Sequence, residues 1–242
     1  MIWLYDDYEA LSNAAAGIFV QQARQAAQTK GSFSVALAGG HTPQRTYQLL
    51  ARPPYSDRIP WGQAHIFWGD ERCVPLSDPR SNARLARQAL LDRVPVPRAQ
   101  IHPILCTGAP QIAAEQYESL LQAFFGDQPP CFDLIFLGLG QNGHTASLFP
   151  GTSALKEREH WVTAVHTGEQ EIDRVTLTAP IINRAAVVAF LVSGSSKAGV
   201  LKEVLEGRED SERLPAQLIQ PADGELHWLL DREAASLLTR KA

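Results

Sequence analysis

Phe132-Asp133-Leu134-Ile135-Phe136-Leu137-Gly138-Leu139-Gly140-Gln141-Asn142-Gly143-His144 is the stretch that decides the fold. Its first half is a short apolar run, which reads as a buried strand. Its second half is a loop holding three glycines and one imidazole. A strand buried on both faces belongs to a parallel sheet covered by helices. In such sheets ligands bind beyond the carboxyl ends of the strands. A histidine there can move a proton near neutral pH. The loop therefore reads as the reactive end of an enzyme site.

The rest of the chain repeats that grammar. Asp6 or Asp7 is placed to cap a helix with Ala10/Leu11, Ala14/Ala15, Ile18/Phe19, Ala23 and Ala26 on its apolar face, ended by Gly31. Ser34–Ala38 reads as a strand, and Pro43 suits the first turn of a helix to about Leu50. Strands are expected at His65–Trp68, Trp161–Val165, Arg174–Thr178, Ala186–Val192 and Glu225–Leu230, with a short extended piece at Ile101–Leu105. Helices are expected near Ser81–Leu91, Pro110–Phe125 and Ser196–Leu205, with a short terminal one after the last strand. Pro53-Pro54 and Pro129-Pro130 read as loop corners. Strands alternating with helices imply an α/β fold of three layers, α/β/α, with a mainly parallel, Rossmann-like central sheet. One domain over residues 1–242 is expected.

Bulk properties narrow the function classes. The 242 residues are 45% hydrophobic, enough for a sizeable core. A formal charge of -4 gives no overall basic field for nucleic acid. Cys73, Cys106 and Cys131 are odd in number and form no CxxC, so they read as reduced thiols of a cytoplasmic protein. The start lacks the pattern of a secretory signal, and no window is long and apolar enough for a membrane span. A monomer or weak homodimer acting on a small molecule is expected, with no nucleic-acid or membrane partner.

Two turns look built for an anion. Ala38-Gly39-Gly40-His41-Thr42-Pro43 joins a strand to a helix. Its glycines allow close approach, and the helix start offers unpaired N–H groups. Gly194-Ser195-Ser196-Lys197 repeats the logic, with Ser195 or Ser196 as cap and Lys197 as a mobile charge. Arg174 can add a bidentate contact. Gly69-Asp70-Glu71-Arg72 follows another buried strand, where Arg72 can meet an anionic or carbonyl oxygen and Asp70 or Glu71 can orient it. Ser81-Asn82 can cap the next helix. A serine-hydrolase elbow GxSxG, a metal motif HExxH and full nucleotide-binding fingerprints are all missing from the sequence.

Taken in order, these segments, with Val74-Pro75, the run to Pro150 and Leu214-Pro215-Ala216, resemble the 6-phosphogluconolactonase family in its form related to glucosamine-6-phosphate isomerase/deaminase. The resemblance implies hydrolysis of 6-phospho-D-glucono-1,5-lactone by a carboxylic ester hydrolase of the pentose phosphate pathway, with no metal or organic cofactor. It implies His144, Arg72 and Asn142 as catalytic residues. Gly39, Gly40, His41, Thr42, Asp70, Arg174 and Lys197 would hold the substrate and its phosphate. The deaminase branch carries an acidic pair around its histidine; here Asn142 and Phe149 stand in those places. Asn142 and His41 also depart from the Asp and Ser more usual in the lactonase branch. A deaminase-like isomerase and a non-catalytic sugar-phosphate sensor remain the alternatives.

Overall fold

The computed structural model describes all residues except 107, 127–130, 168–171 and 240–242. The Pro129-Pro130 corner lies outside the described residues. Asp7 accepts a hydrogen bond from the Ala10 amide and caps helix α1 (Tyr8–Lys30), which ends on left-handed Gly31. Strand β2 (Phe33–Leu37) leads into α2 (His41–Leu50), and β3 (Ala64–Trp68) follows. Helix α3 (Asn82–Ala89) starts at Ser81, whose hydroxyl accepts from the Arg84 amide. Next come α4 (Pro110–Phe125), β5 (Leu134–Leu137), the short α5 (Ala179–Ile182), β8 (Val187–Val192), α6 (Ala198–Glu206) and β9 (Glu225–Asp231).

Six strands form one wholly parallel sheet in the order β1-β9-β8-β5-β2-β3, where β1 is Ile2–Tyr5. Strands β2, β5 and β8 are buried along their whole length, which is why they read as continuous apolar runs. The strand order turns back between β2 and β5. The loops leaving these two strands diverge and open a crevice at their carboxyl ends, the switch point of a doubly wound sheet.

A second, antiparallel sheet has the order β4-β7-β6, with β4 Asp70–Arg72, β6 Val162–Val165 and β7 Arg174–Leu177. It roofs the crevice. Only Gly69 separates β3 from β4. Its amide donates to Leu37 O of the large sheet, and its carbonyl accepts from the Leu177 amide of the small one. The Glu118 carboxylate of α4 accepts from the Trp161 and Val162 amides and fixes the far edge of the small sheet.

Several expectations are corrected. Ile101–Leu105 contributes a single bridge to Ile66 instead of a strand. Residues 232–237 form turns, not a terminal helix. Strand β1 and the separate small sheet were not expected. The cysteine reading also changes: Cys73 and Cys106 form a disulfide, and Cys131 is exposed with a free thiol. The pair stands 33 positions apart in sequence, but the end of β4 and the chain leading to α4 bring their Cα atoms to 4.7 Å. Among the described residues no helix is long and apolar enough to cross a membrane.

Candidate active site

A cavity of about 720 Å³ lies in the crevice, and all ten site residues expected from the sequence line it. Three loops of the large sheet and two strands of the small sheet supply them.

The β5 loop presents His144. Its Nδ1 lies 2.5 Å from Asn142 Oδ1. An amide oxygen only accepts, so Nδ1 carries the proton and Nε2 carries the lone pair. The loop is closed by bonds from Gly140 N to His144 O and from Gly143 N to Gly140 O. Gly140 is required by contact: a Cβ there would lie 2.1 Å from the imidazole. The Phe149 ring packs against His144 at 4.5 Å and lies 5.8 Å from the Arg174 guanidinium, bridging the base and a cation.

The electrostatics of His144 follow from this setting. Burial pushes its pKa down most strongly, to about 4. The charge of Asp70 opposes that shift, while Lys197, Arg174 and Arg72 add to it. At neutral pH the group is therefore an uncharged base beside three cations.

The β2 and β8 loops supply the two anion turns. Gly40 is the N-cap of α2, with φ 93° and ψ 174°. Gly194 occupies the same position after β8, with φ 92° and ψ 148°. Neither helical start has a side-chain cap, so Ser195 and Ser196 do not play the capping role expected of them. The Tyr8 hydroxyl donates to His41 O and Thr42 O. His41 itself is exposed at the cavity rim. Burial lowers the pKa of Lys197.

From the small sheet, β4 places Asp70 and Arg72, and β7 places Arg174 opposite Arg72. Arg72 Nη1 donates to Arg80 O at 2.5 Å, while its buried Nε has no partner among the described residues. Asp70 is 7% exposed, and its carboxylate accepts from Ser147 Oγ at 2.6 Å and Asn82 Nδ2 at 3.1 Å. Glu71 points away from the cavity. Burial raises its pKa, while four hydrogen bonds, from Ala83 N, Asn82 N, Arg72 N and Ser81 Oγ, oppose that shift. The adjacent carboxylates thus differ: Asp70 borders the site, and Glu71 binds the start of α3 to β4. Asn82, Ser147 and Phe149 were not assigned to the site from the sequence. Asn82 and Phe149 figure in the family resemblance, and Ser147 lies in the histidine loop, but none carries a chemical group that points to a site role by itself.

Residues 6–228 match the family described as glucosamine-6-phosphate isomerases/6-phosphogluconolactonase. The chain belongs to that family. The 6-phosphogluconolactonase of Synechocystis is 46% identical over 213 residues, 86% of each chain. The human 6-phosphogluconolactonase is 39% identical over 247 residues, covering 99% of this chain and 94% of the human one. Among solved structures, 6-phosphogluconolactonase from Trypanosoma brucei superposes with a TM-score of 0.85 at 29% identity, covering 99% and 98% of the two chains. A monomeric glucosamine-6-phosphate deaminase superposes with a TM-score of 0.84 at 26% identity, covering 98% and 99%. A lactonase and a deaminase of this family thus share this fold.

Proposed function

We propose that this protein hydrolyses 6-phospho-D-glucono-1,5-lactone to 6-phospho-D-gluconate. The observation that carries the reading is the state of His144. It is a neutral imidazole with Nδ1 engaged by an amide and Nε2 without a hydrogen-bond partner among the described residues, and it lines a cavity bordered by three cations. The phosphate sits against the Gly40–Thr42 turn, Arg174 and Lys197, with the lactone carbonyl toward Arg72.

His144 Nε2 takes a proton from water as the water oxygen attacks C1. The guanidinium of Arg72, which lines the cavity, stabilises the oxyanion that forms. The C1–O bond then breaks, and the imidazolium returns the proton to the ring oxygen. Substrate binding strengthens the base. A phosphate dianion offsets the charges of Lys197 and Arg174, which add to the burial that holds the imidazole pKa down. Asn142 fixes the tautomer and the fixed charge of Asp70 favours the transient imidazolium.

The test is turnover of freshly generated lactone, measured against its uncatalysed hydrolysis. His144→Ala is expected to lower kcat by about 10²–10⁴-fold. Near-normal turnover in that variant would remove His144 from the reaction. Release of ammonia from glucosamine 6-phosphate would overturn the lactonase reading.

A further inference from the structure

Asn82 joins three parts of the site that come from different elements. Its side chain is 2% exposed. Nδ2 donates to Asp70 O at 2.9 Å and to Asp70 Oδ1 at 3.1 Å. The amide group also lies over Gly39: a Cβ there would come within 1.9 Å of Asn82 Oδ1 and 2.7 Å of its Nδ2. Asn82 is itself immobilised, because its backbone N–H donates to Glu71 Oε1 at 2.7 Å. One planar amide therefore spans the gap between the anion turn of the large sheet and the charged strand of the small sheet.

We infer that Asn82 is a positioning residue: it sets the distance between the Gly39–Gly40 turn, which receives the phosphate, and Asp70, whose charge faces His144. The inference rests on the lactonase reading for its kinetic form. The physical argument is complementarity. Asp70 offers two acceptors that need donors in a buried setting, and the turn offers a Cα with no side chain. An amide meets both, since it has donors on one side and a compact oxygen on the other. A carboxylate in its place would oppose Asp70, and an alanine would leave Asp70 one donor short and the turn without its rest. Misplacement of the two halves by a fraction of an ångström is enough to slow a reaction that depends on their alignment.

The contact between Asn82 and Gly39 provides a selective test. Gly39 is not in the left-handed region, and the three atoms nearest to a Cβ added there all belong to the Asn82 amide. Gly39→Ala and Asn82→Ala are each expected to lower kcat/KM for the phosphorylated lactone roughly tenfold. The double variant is expected to lose roughly tenfold as well, not a hundredfold, because removing the amide makes room for the new methyl group. The KM for unphosphorylated gluconolactone should move less than that for the phosphorylated substrate. If Asn82→Ala folds poorly, Asn82→Asp keeps its volume. That variant should recover activity as the pH falls and the facing carboxylates share a proton. A folded Asn82→Ala enzyme with normal kinetics, or losses that multiply in the double variant, would overturn the inference. If the unmodified protein fails to turn over the lactone, the functional reading falls by itself. The same variants are then compared through calorimetric binding of 6-phosphogluconate, where non-additive losses support the positioning role and additive losses reject it.

Discussion

The turns at Gly40 and Gly194 have nearly the same backbone, yet they are braced and equipped differently. Both follow a buried parallel strand, and both have φ near 92° and no side-chain cap. Open space faces the missing Cβ at both positions. At Gly194 the Asp231 carboxylate accepts the turn's own amide at 3.0 and 3.1 Å, as well as the Ala234 amide and the Ser193 hydroxyl. That turn is fixed by its neighbouring strand β9 and contributes a side-chain charge, Lys197. At the Gly39–Gly40 turn the Asn82 amide, delivered from α3, lies over Gly39, the Tyr8 hydroxyl of α1 holds the His41 and Thr42 carbonyls, and the turn contributes backbone N–H groups. One turn is held from the large sheet, whereas the other is held in part by a helix attached to the small sheet. The same local geometry therefore carries two sensitivities.

The largest expected effect breaks this symmetry through the disulfide. Cys73–Cys106 closes a loop that contains α3 and therefore Asn82. Reduction should cost about 2–4 kcal/mol of stability, read as a fall in the urea midpoint. Thiol titration should find one reactive group before reduction and three after it. The Gly40 turn should lose affinity for phosphate before the Gly194 turn does.

Next in size is the charge. Lys197→Ala removes a charged hydrogen bond of about 1.5–3 kcal/mol. It should raise KM for the phosphorylated lactone about 10–10²-fold, with little change for unphosphorylated gluconolactone. An equal change for both substrates would take Lys197 out of the phosphate site. Thr42→Ala in the other turn should cost less, because the backbone amides remain.

Gly40→Ala and Gly194→Ala form a matched pair. Each forces a Cβ into a conformation reserved for glycine, at about 1–3 kcal/mol. Because no steric clash adds to either, the two losses in thermal or urea unfolding should agree. A clear difference would show that the Asp231 brace lets its turn relax.

The smallest effect is the alkaline one. Lys197 binds phosphate in its protonated form, and burial lowers its pKa from 10.5. KM should therefore rise with pH earlier than an ordinary lysine allows, and Lys197→Met should abolish that rise. On the acid side kcat/KM should fall as pH drops through about 4, where His144 of the free enzyme gains its proton. Stability should fall over the same approach. His144 and His102 both have folded pKa values near 4, against 6.5 when unfolded. Between those values the unfolded chain binds the extra protons.

Much of this was legible from the residues. Helices α1 and α4 and strands β2, β5 and β8 have the apolar periodicity or continuity of their setting, and Asp7, Gly31 and Ser81 mark helix ends by their capping chemistry. The histidine loop was legible because glycines after a buried strand have few other uses. Strand β1 was not, since its residues are mostly exposed and pair on one side only. The small sheet was hidden because β4 is three charged residues, a composition that pattern reading assigns to a loop. Burial made the roles of Asp70 and Glu71 diverge, and burial cannot be read from two adjacent acids. Asn82 looked like a helix start and nothing more, because its second contact is to a glycine distant in sequence. The cysteine pairing was equally invisible, being a fact of space and not of spacing.

Gly69 is one residue long, yet it is the mechanical joint of the molecule. With its N–H committed to Leu37 and its carbonyl to Leu177, it acts as a weld between two sheets with different strand directions. A displacement of the roof is transmitted directly to the floor of the cleft. The cleft thus has the character of a fixed jaw, whose opening is set when the chain folds and whose cargo must fit the gap as cast.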